Sequence, residues 1–377
     1  MKQFIIFVLT SLSLSGQIAF SQTTLQTIDI YQKGDEGYNC FRIPAIVHTT
    51  KGTLLAFAEA RKTSCSDTGD IDLVLKRSVD GGKTWSPMIK VWDDGNNVCG
   101  NPAPVVDKVT GRIVLLSIWN RGDDHEKEIL AGTSKDTRRV FVLHSDDDGF
   151  TWTDPKEVTS TTKKDNWTWY ATGPCHGIQL QGKKYENRLV IPANHMVAGT
   201  KTYHSQVIYS DDFGDTWQLG GIVAEHGGNE SSVVELKNGD LILNMRNYNR
   251  EASKTRSFAI SKDGGLSWSD MQYAPELIEP ICQGSILSAT TKGKLTEKLL
   301  FSNPASIDKR EKMTIRLSRN SGLSWESALL IHNGPTAYSD MVMVSDGQIG
   351  LFYEYGEESP YEKMGFVVVP LSELEKK

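Results

Sequence analysis

Arginine, tyrosine and carboxylate side chains at the ends of apolar runs are the residues of this chain best placed to do chemistry. Arg42 lies inside "CFRIPAIV", where a guanidinium at an apolar strand start is costly to bury without an anionic partner. "FAEARKTSCSDTGDIDLVLKRS" follows an apolar run with Glu59 and Arg61, then a Ser/Thr/Gly loop carrying Asp67, Asp70 and Asp72. Such a loop is a natural place for an acid that must move. "GGNESSVVELKNGDLILNMRNY" puts Glu230 just before one expected strand and Arg246 at the end of its partner, so both share one end of a hairpin. Arg310 precedes a strand in "DKREKMTIRLS", and Tyr338 precedes another in "AYSDMVMV". Read singly, Arg42 fits a structural ion pair as well as a binding site, and each aspartate fits a solvated turn. Read together, guanidinium forks suit a carboxylate ligand. A phenol, with a pKa of about 10, needs an adjacent base before it can act as a nucleophile.

The elements that would position these groups are written in a repeat. "SVDGGKTW" at 78 returns as "SDDDGFTW" at 145, "SDDFGDTW" at 210, "SKDGGLSW" at 261 and "SRNSGLSW" at 318. Period-two apolar runs flank the octets, as in "IDLVLKRS" and "VFVLHS", which reads as a β-hairpin around a Gly-containing turn. Gly82, Gly149, Gly214, Gly265 and Gly322 can supply positive φ, and Asp80, Asp147, Asp212 and Asp263 can accept backbone N–H groups, with Asn320 standing in for the fifth. The closing Trp can cover the turn. The octets are therefore structural and peripheral. Further hairpins lie between them, turning at Gly52, Gly111, Gly239 and Gly347. One such hairpin plus one octet hairpin makes a four-stranded antiparallel blade. Five octets and one octet-less blade predict an all-β six-bladed propeller closed by strands from both ends of the chain.

Composition narrows the function classes. At 377 residues and 38% hydrophobic content, the chain can bury one large β domain or two ordinary ones. No long helical pattern, Pro-rich linker or low-complexity tract interrupts it, so residues 22–377 read as one domain. A net charge of -6 argues against a nucleic-acid partner and makes any positive site local. Residues 1–21 place one Lys before a short apolar run ending near Ala19-Phe20-Ser21, the pattern of a cleaved signal peptide rather than a membrane anchor. The expectation is an exported chain, periplasmic or secreted, not inserted in a membrane after cleavage, and monomeric. Cys40, Cys65, Cys99, Cys175 and Cys282 are scattered without CxxC spacing, which argues against a zinc site. One or two disulfides and buried free thiols both remain open. No metal constellation or phosphate loop is present, so no metal or cofactor is expected.

"FRIP", the five Ser-x-Asp-x-Gly-x-Thr-Trp octets and the late "AYSD" together resemble the exo-α-sialidases of the bacterial and animal type, which are six-bladed propellers. The resemblance covers the whole mature chain, and the ordered combination is its specific part. It implies carboxylate-binding arginines at Arg42, Arg246 and Arg310, a nucleophilic Tyr338, its paired base Glu230, and Arg61 facing the sugar's O4 side. It places the acid/base at Asp67, with Asp70 and Asp72 as alternatives because loop length varies there. The implied reaction is retaining hydrolysis of terminal α-linked sialic acids from glycoproteins, glycolipids or oligosaccharides. This makes physical sense. Sialic acid carries its carboxylate on the anomeric carbon, where a carboxylate nucleophile would be repelled and a neutral phenol would not; sialidases with a Tyr nucleophile are a known exception to the two-carboxylate rule. Asp67 would need a raised pKa to act as an acid. Tyr170, His176, His195 and Trp119 resemble segments bordering the family's active-site mouth, and each fits plain core or rim as well. A trans-sialidase and a non-catalytic sialoglycan-binding propeller are the alternative functions.

Overall fold

A computed structural model describes residues 25–376. The expected signal-peptide segment 1–21 and its expected cleavage point lie outside the described residues. The fold is all-β, with only short helical turns between strands. Among the described residues, no helix is long and apolar enough to cross a membrane.

Among the described residues, four hydrogen-bonded sheets form. One runs Cys40–His48, Leu54–Arg61, Ile71–Ser78, Val98–Val106, Ile113–Asn120, Arg139–Ser145 and Lys156–Glu157, with Ile89–Trp92 also pairing with Ile71–Ser78. A second pairs Trp167–Thr172, Leu189–Val197, Tyr203–Ser210 and Gln218–Ile222, and a third pairs Gly228–Glu235, Leu241–Asn247, Thr255–Ser261 and Gln272–Ile278. The fourth ends with Ile28–Gln32 paired antiparallel to Lys363–Pro370, so the two ends of the described chain meet in one sheet. In that sheet the long strand Ser327–Ser345 is shared. Its first half pairs with Glu311–Ser318 and its second half with Gln348–Tyr355.

The octets are turns built from their own side chains. Asp80 Oδ1 accepts the N–H groups of Lys83 and Thr84, both at 3.0 Å. Asp147, Asp212 and Asp263 repeat the bond to the fourth residue on, and Asn320 Oδ1 does so for Ser324 N at 3.0 Å. The leading serine, which has no part in the sequence reading, adds a second clasp: Ser78 Oγ accepts Gly82 N–H at 2.9 Å, and the other four copies match it. Gly82 holds φ +90°, and a Cβ there would sit 2.1 Å from the Phe366 ring. Glycine is thus required both by the backbone conformation and by the neighbouring side chain. Trp85 closes the first octet by donating Nε1–H to Gly82 O at 3.2 Å while packing edge-on against Phe366.

The apolar faces of neighbouring strand groups bury one another. Val114, Leu116, Ile191, Ile208 and the octet residue Trp217 form one such layer; Leu299, Phe301, Ile242 and Trp325 form another. These layers hold the strands whose ends carry the polar groups. Register breaks recur in those strands where chemistry-bearing side chains stand: between Arg42 and Ala45, Gly100 and Ala103, Trp167 and Tyr170, Gly228 and Ser231, and Thr336 and Ser339. A bulge re-aims side chains and is over-represented beside functional sites. Ile43 at φ 63° and Asn101 at φ 52° lie within two of these breaks, and a left-handed β-branched residue is a strained position that the surroundings must impose. Glu230 and Tyr338, expected just before strands, instead lie inside Gly228–Glu235 and Ser327–Ser345. The bulges let an unbroken strand present them.

Candidate functional site

The bulged strand ends surround a cavity of about 230 Å³. Arg42, Arg61, Asp67, Glu230, Arg246, Arg310 and Tyr338, the seven residues to which the resemblance gave catalytic or binding roles, all line it.

Its centre is a phenol and a carboxylate. Tyr338 Oη donates to Glu230 Oε1 at 2.6 Å. Arg246 Nη1 donates to the other Glu230 oxygen at 2.6 Å and to Tyr338 Oη at 3.2 Å. The Arg42 and Arg310 guanidiniums lie 5.0 and 5.5 Å from the Tyr338 ring centroid, so three arginines from distant parts of the chain converge on one side chain. Burial drives the Tyr338 phenol well above its ordinary value, the Glu230 charge adds to this, and the arginines oppose it only in part. The phenol is therefore held protonated beside a base.

Each arginine has a support. Glu354 is fully buried and takes Arg42 Nε at 3.1 Å and Nη2 at 3.2 Å on its two oxygens. The same carboxylate accepts the backbone N–H groups of Ile43 at 2.8 Å and Tyr338 at 3.1 Å. One buried anion thus fixes both a cation and the strand carrying the phenol. Arg310 donates to Tyr361 Oη at 2.8 Å and to Ile281 O at 3.2 Å, which fixes its fork without neutralising it. Arg246 Nη2 donates to Tyr248 Oη at 3.0 Å. Arg61 is aimed by Glu59, with Nε 3.0 Å from Glu59 Oε2.

Asp67 sits on the loop after Arg61 with 57% of its side chain exposed, 2.7 Å from Arg61 Nη1 and 3.7 Å from Arg42 Nη1. The loop is tethered by a Cys40–Cys65 disulfide and by an Arg61 Nη1 bond to Cys65 O at 2.6 Å. Cys99, Cys175 and Cys282 are buried free thiols, so both cysteine readings hold in one chain. Burial pushes the Asp67 carboxyl up, but Arg61 and then Arg42 outweigh it and the pKa is lowered. The raised value expected of an acid is thus absent from the open site. Asp72, an alternative acid, is buried elsewhere and accepts the Tyr38 hydroxyl; neither it nor Asp70 lines the cavity.

Four mouth candidates fall outside the cavity lining. Tyr170 is fully buried core. His195 stacks on Trp167 at 3.5 Å and bonds Gln206. His176 bonds Asp340 Oδ1 at 2.7 Å, and Trp119 donates to Asp94. All four resemble mouth residues in local sequence, but Tyr170, His195 and Trp119 are turned away on their strands and His176 lies on the connection between two strands, held by Asp340.

The sequence reading missed several liners. Arg138 and Glu126 line the cavity too, with Asn101, Trp169, Tyr203 and Tyr248. Burial lowers the Arg138 guanidinium to about 10 and raises Glu126, whose shift Arg138 opposes. Arg138 immediately precedes the strand Arg139–Ser145, the same signal that identified Arg310, so the rule used for one would have found the other. Among the described residues, no group of three or more His, Cys, Asp or Glu side chains is arranged to hold a metal.

The chain is similar to known proteins along most of its length. Residues 52–351 match the BNR repeat-like domain family. The chain is 31% identical to a sialidase of Bacteroides fragilis (strain YCH46) over 93% of its own length but only 65% of that protein, less than two thirds. It is 31% identical to Sialidase-3 of Mus musculus, covering 89% of this chain and 92% of the relative. The Hadza microbial sialidase Hz136 superposes with a TM-score of 0.83 at 29% identity, covering 92% of this chain and 69% of that one. By sequence along most of its length and by fold, the chain belongs to the exo-α-sialidase family.

Proposed function

We propose that the protein is a retaining exo-α-sialidase that releases terminal α-linked sialic acids from glycoconjugates, with Tyr338 as nucleophile. The observation that carries this reading is the 2.6 Å bond from Tyr338 to Glu230 inside a ring of three arginines. The scaffold is read as a six-bladed propeller closed between Ile28–Gln32 and Lys363–Pro370, a closure supported by the antiparallel pairing of those two strands.

In this reading Arg42, Arg246 and Arg310 grip the sugar carboxylate, and Arg61 faces the O4 side. The Tyr338 oxygen bonds to the anomeric carbon as its proton passes to Glu230. The glycosidic bond breaks with its electron pair on the leaving oxygen, which takes a proton from Asp67. Water then enters, Asp67 takes one of its protons, and its oxygen displaces the tyrosine, which regains its proton from Glu230. Two inversions give net retention. Asp67 must be protonated at the start, and substrate supplies the means: its carboxylate offsets the Arg42 charge while its bulk removes water, and both raise a carboxyl pKa. An acidic optimum is the expected pH–rate profile.

The disulfide supports the further reading that the chain is exported, since such bonds persist in oxidising compartments. The test of function is release from a fluorogenic sialoside between pH 4 and 8. No release at any pH would replace the hydrolase by a sialoglycan-binding protein, and sialyllactose formed with lactose present would replace it by a transferase. Tyr338→Phe should abolish most turnover while keeping affinity for the free sugar; a large loss of that affinity contradicts the nucleophile assignment.

A further inference from the structure

Arg138 differs in kind from most other arginines of the cavity. Arg42, Arg61 and Arg246 each lie against a carboxylate, at 3.1, 2.5 and 2.6 Å. Arg310, the remaining one, belongs to the proposed carboxylate grip. Arg138 is 4% exposed, and among the described residues its guanidinium has one hydrogen-bond acceptor, Tyr170 O at 3.2 Å from Nη1. Its Nε is buried without an acceptor. The guanidinium lies 3.7 Å over the Trp169 ring, a stack that fixes its plane but accepts no N–H. Lys163 Nζ binds the Arg138 carbonyl at 2.7 Å, so the backbone is held independently of the side chain.

A buried guanidinium with donors to spare is tolerable while water fills the cavity. It becomes costly when a ligand expels that water, unless the ligand brings an acceptor. A cavity of about 230 Å³ holds little more than one sugar with its substituents, and among the described residues Arg138 shares no contact with the proposed carboxylate grip around Tyr338, its side chain lying against Tyr170 O and Trp169. We propose that Arg138 is a specificity-determining residue that requires a hydrogen-bond-accepting oxygen on the sugar's own substituents, away from the carboxylate. The inference rests on the sialidase reading and adds a second recognition point to it. Trp169 serves as the platform that aims the fork, and Glu126, which lines the same cavity, accepts the hydrogen bond of a hydroxyl whose oxygen Arg138 binds. A sugar presenting only carbon at that place leaves the donors unmatched and is selected against.

The experiment uses the full chain and a panel of fluorogenic sialosides, each lacking or O-methylated at one oxygen of the ring or its side chain. Each is measured with wild type, Arg138→Leu and Arg138→Lys. One panel member should lose about 10- to 100-fold in kcat/KM relative to the parent with wild type. That discrimination should disappear in Arg138→Leu, partly return in Arg138→Lys, and appear mainly in KM. A uniform loss across the panel in Arg138→Leu, or unchanged ratios, overturns the proposal by making Arg138 structural. Calorimetric binding of the corresponding free sugars separates the two readings. The same discrimination in binding without any release leaves Arg138 in its role and removes the hydrolase. Release without discrimination does the reverse. Should Arg138→Leu not fold, as judged by its melting curve, Arg138→Gln gives the same comparison.

Discussion

Replacing Glu354 by Gln tests whether one buried anion organises both the grip and the phenol. The carboxylate is fully buried and accepts four donors, two from Arg42 and one each from Ile43 N and Tyr338 N. Glutamine keeps one acceptor oxygen, so two of the four bonds survive and an amide NH₂ faces the remaining donors. Arg42 also loses its counter-charge and is left with the exposed Asp67 at 3.7 Å. Breaking a buried pair from one side costs about 3–5 kcal/mol. For about 350 ordered residues the unfolding entropy is about 0.7 kcal/mol per degree, so Tm should fall by roughly 4–7 °C. Activity should suffer more. Freed from Glu354, the Arg42 fork and the Tyr338 backbone shift relative to each other, and a displacement of about 1 Å costs on the order of 100-fold in rate. The assay is kcat/KM for a fluorogenic sialoside at 25 °C, well below the variant's Tm, beside a melting curve. A normal Tm refutes the energetic reasoning. A lowered Tm with kcat/KM within a few-fold of wild type refutes the positioning role.

Other outcomes follow from the same physics. Gly82→Ala forces a Cβ into the Phe366 ring at positive φ and should destabilise by about 1–3 kcal/mol; kcat at a permissive temperature should be unchanged, because the octet is peripheral, and a kcat defect would contradict that. Cys40→Ser with Cys65→Ser opens a loop of sequence separation 25, worth about 3 kcal/mol in chain entropy, and should lower kcat/KM by loosening Asp67; unchanged kinetics would show that Arg61 alone seats the acid. His176 has a raised pKa, because Asp340 outweighs the burial that pulls it down. A raised value stabilises the fold below the ordinary histidine pKa and fades as pH rises through the folded one. The Tm gap between wild type and His176→Gln should therefore be widest near pH 5 and narrow by pH 9, and a gap that widens with pH would reverse the assignment.

Much of the site was legible because its residues violate local rules. Arg42 and Arg246 stand beside apolar runs where a charge is expensive, and Tyr338 and Glu230 mark hairpin ends. The octets were legible because a turn is a local object, with donor, acceptor and glycine all within eight residues. Glu354 was not, since its partner Arg42 lies 312 positions away and nothing near it in the chain announces the pairing. The bulges were invisible for a related reason: a register break is a property of two strands together. Asp67 shows a third limit. Its loop could be read, but the direction of its pKa depends on which arginines the fold brings to it. Tyr170, His176, His195 and Trp119 take the core-or-rim alternative, since local likeness does not say which way a side chain points.

The shared strand Ser327–Ser345 carries the phenol in its middle, stitched to different neighbours before and after Tyr338. A side chain set at such a seam has no hinge available to it, whereas Asp67 hangs from a surface loop closed by a single cross-link. The scaffold therefore divides its labour between an anchored partner and an adjustable one. If Asp67 is the acid as proposed, changes in loop length or sequence around it should retune pH response or leaving-group tolerance while the anchor stays in register, which makes 62–70 the segment to vary first in engineering.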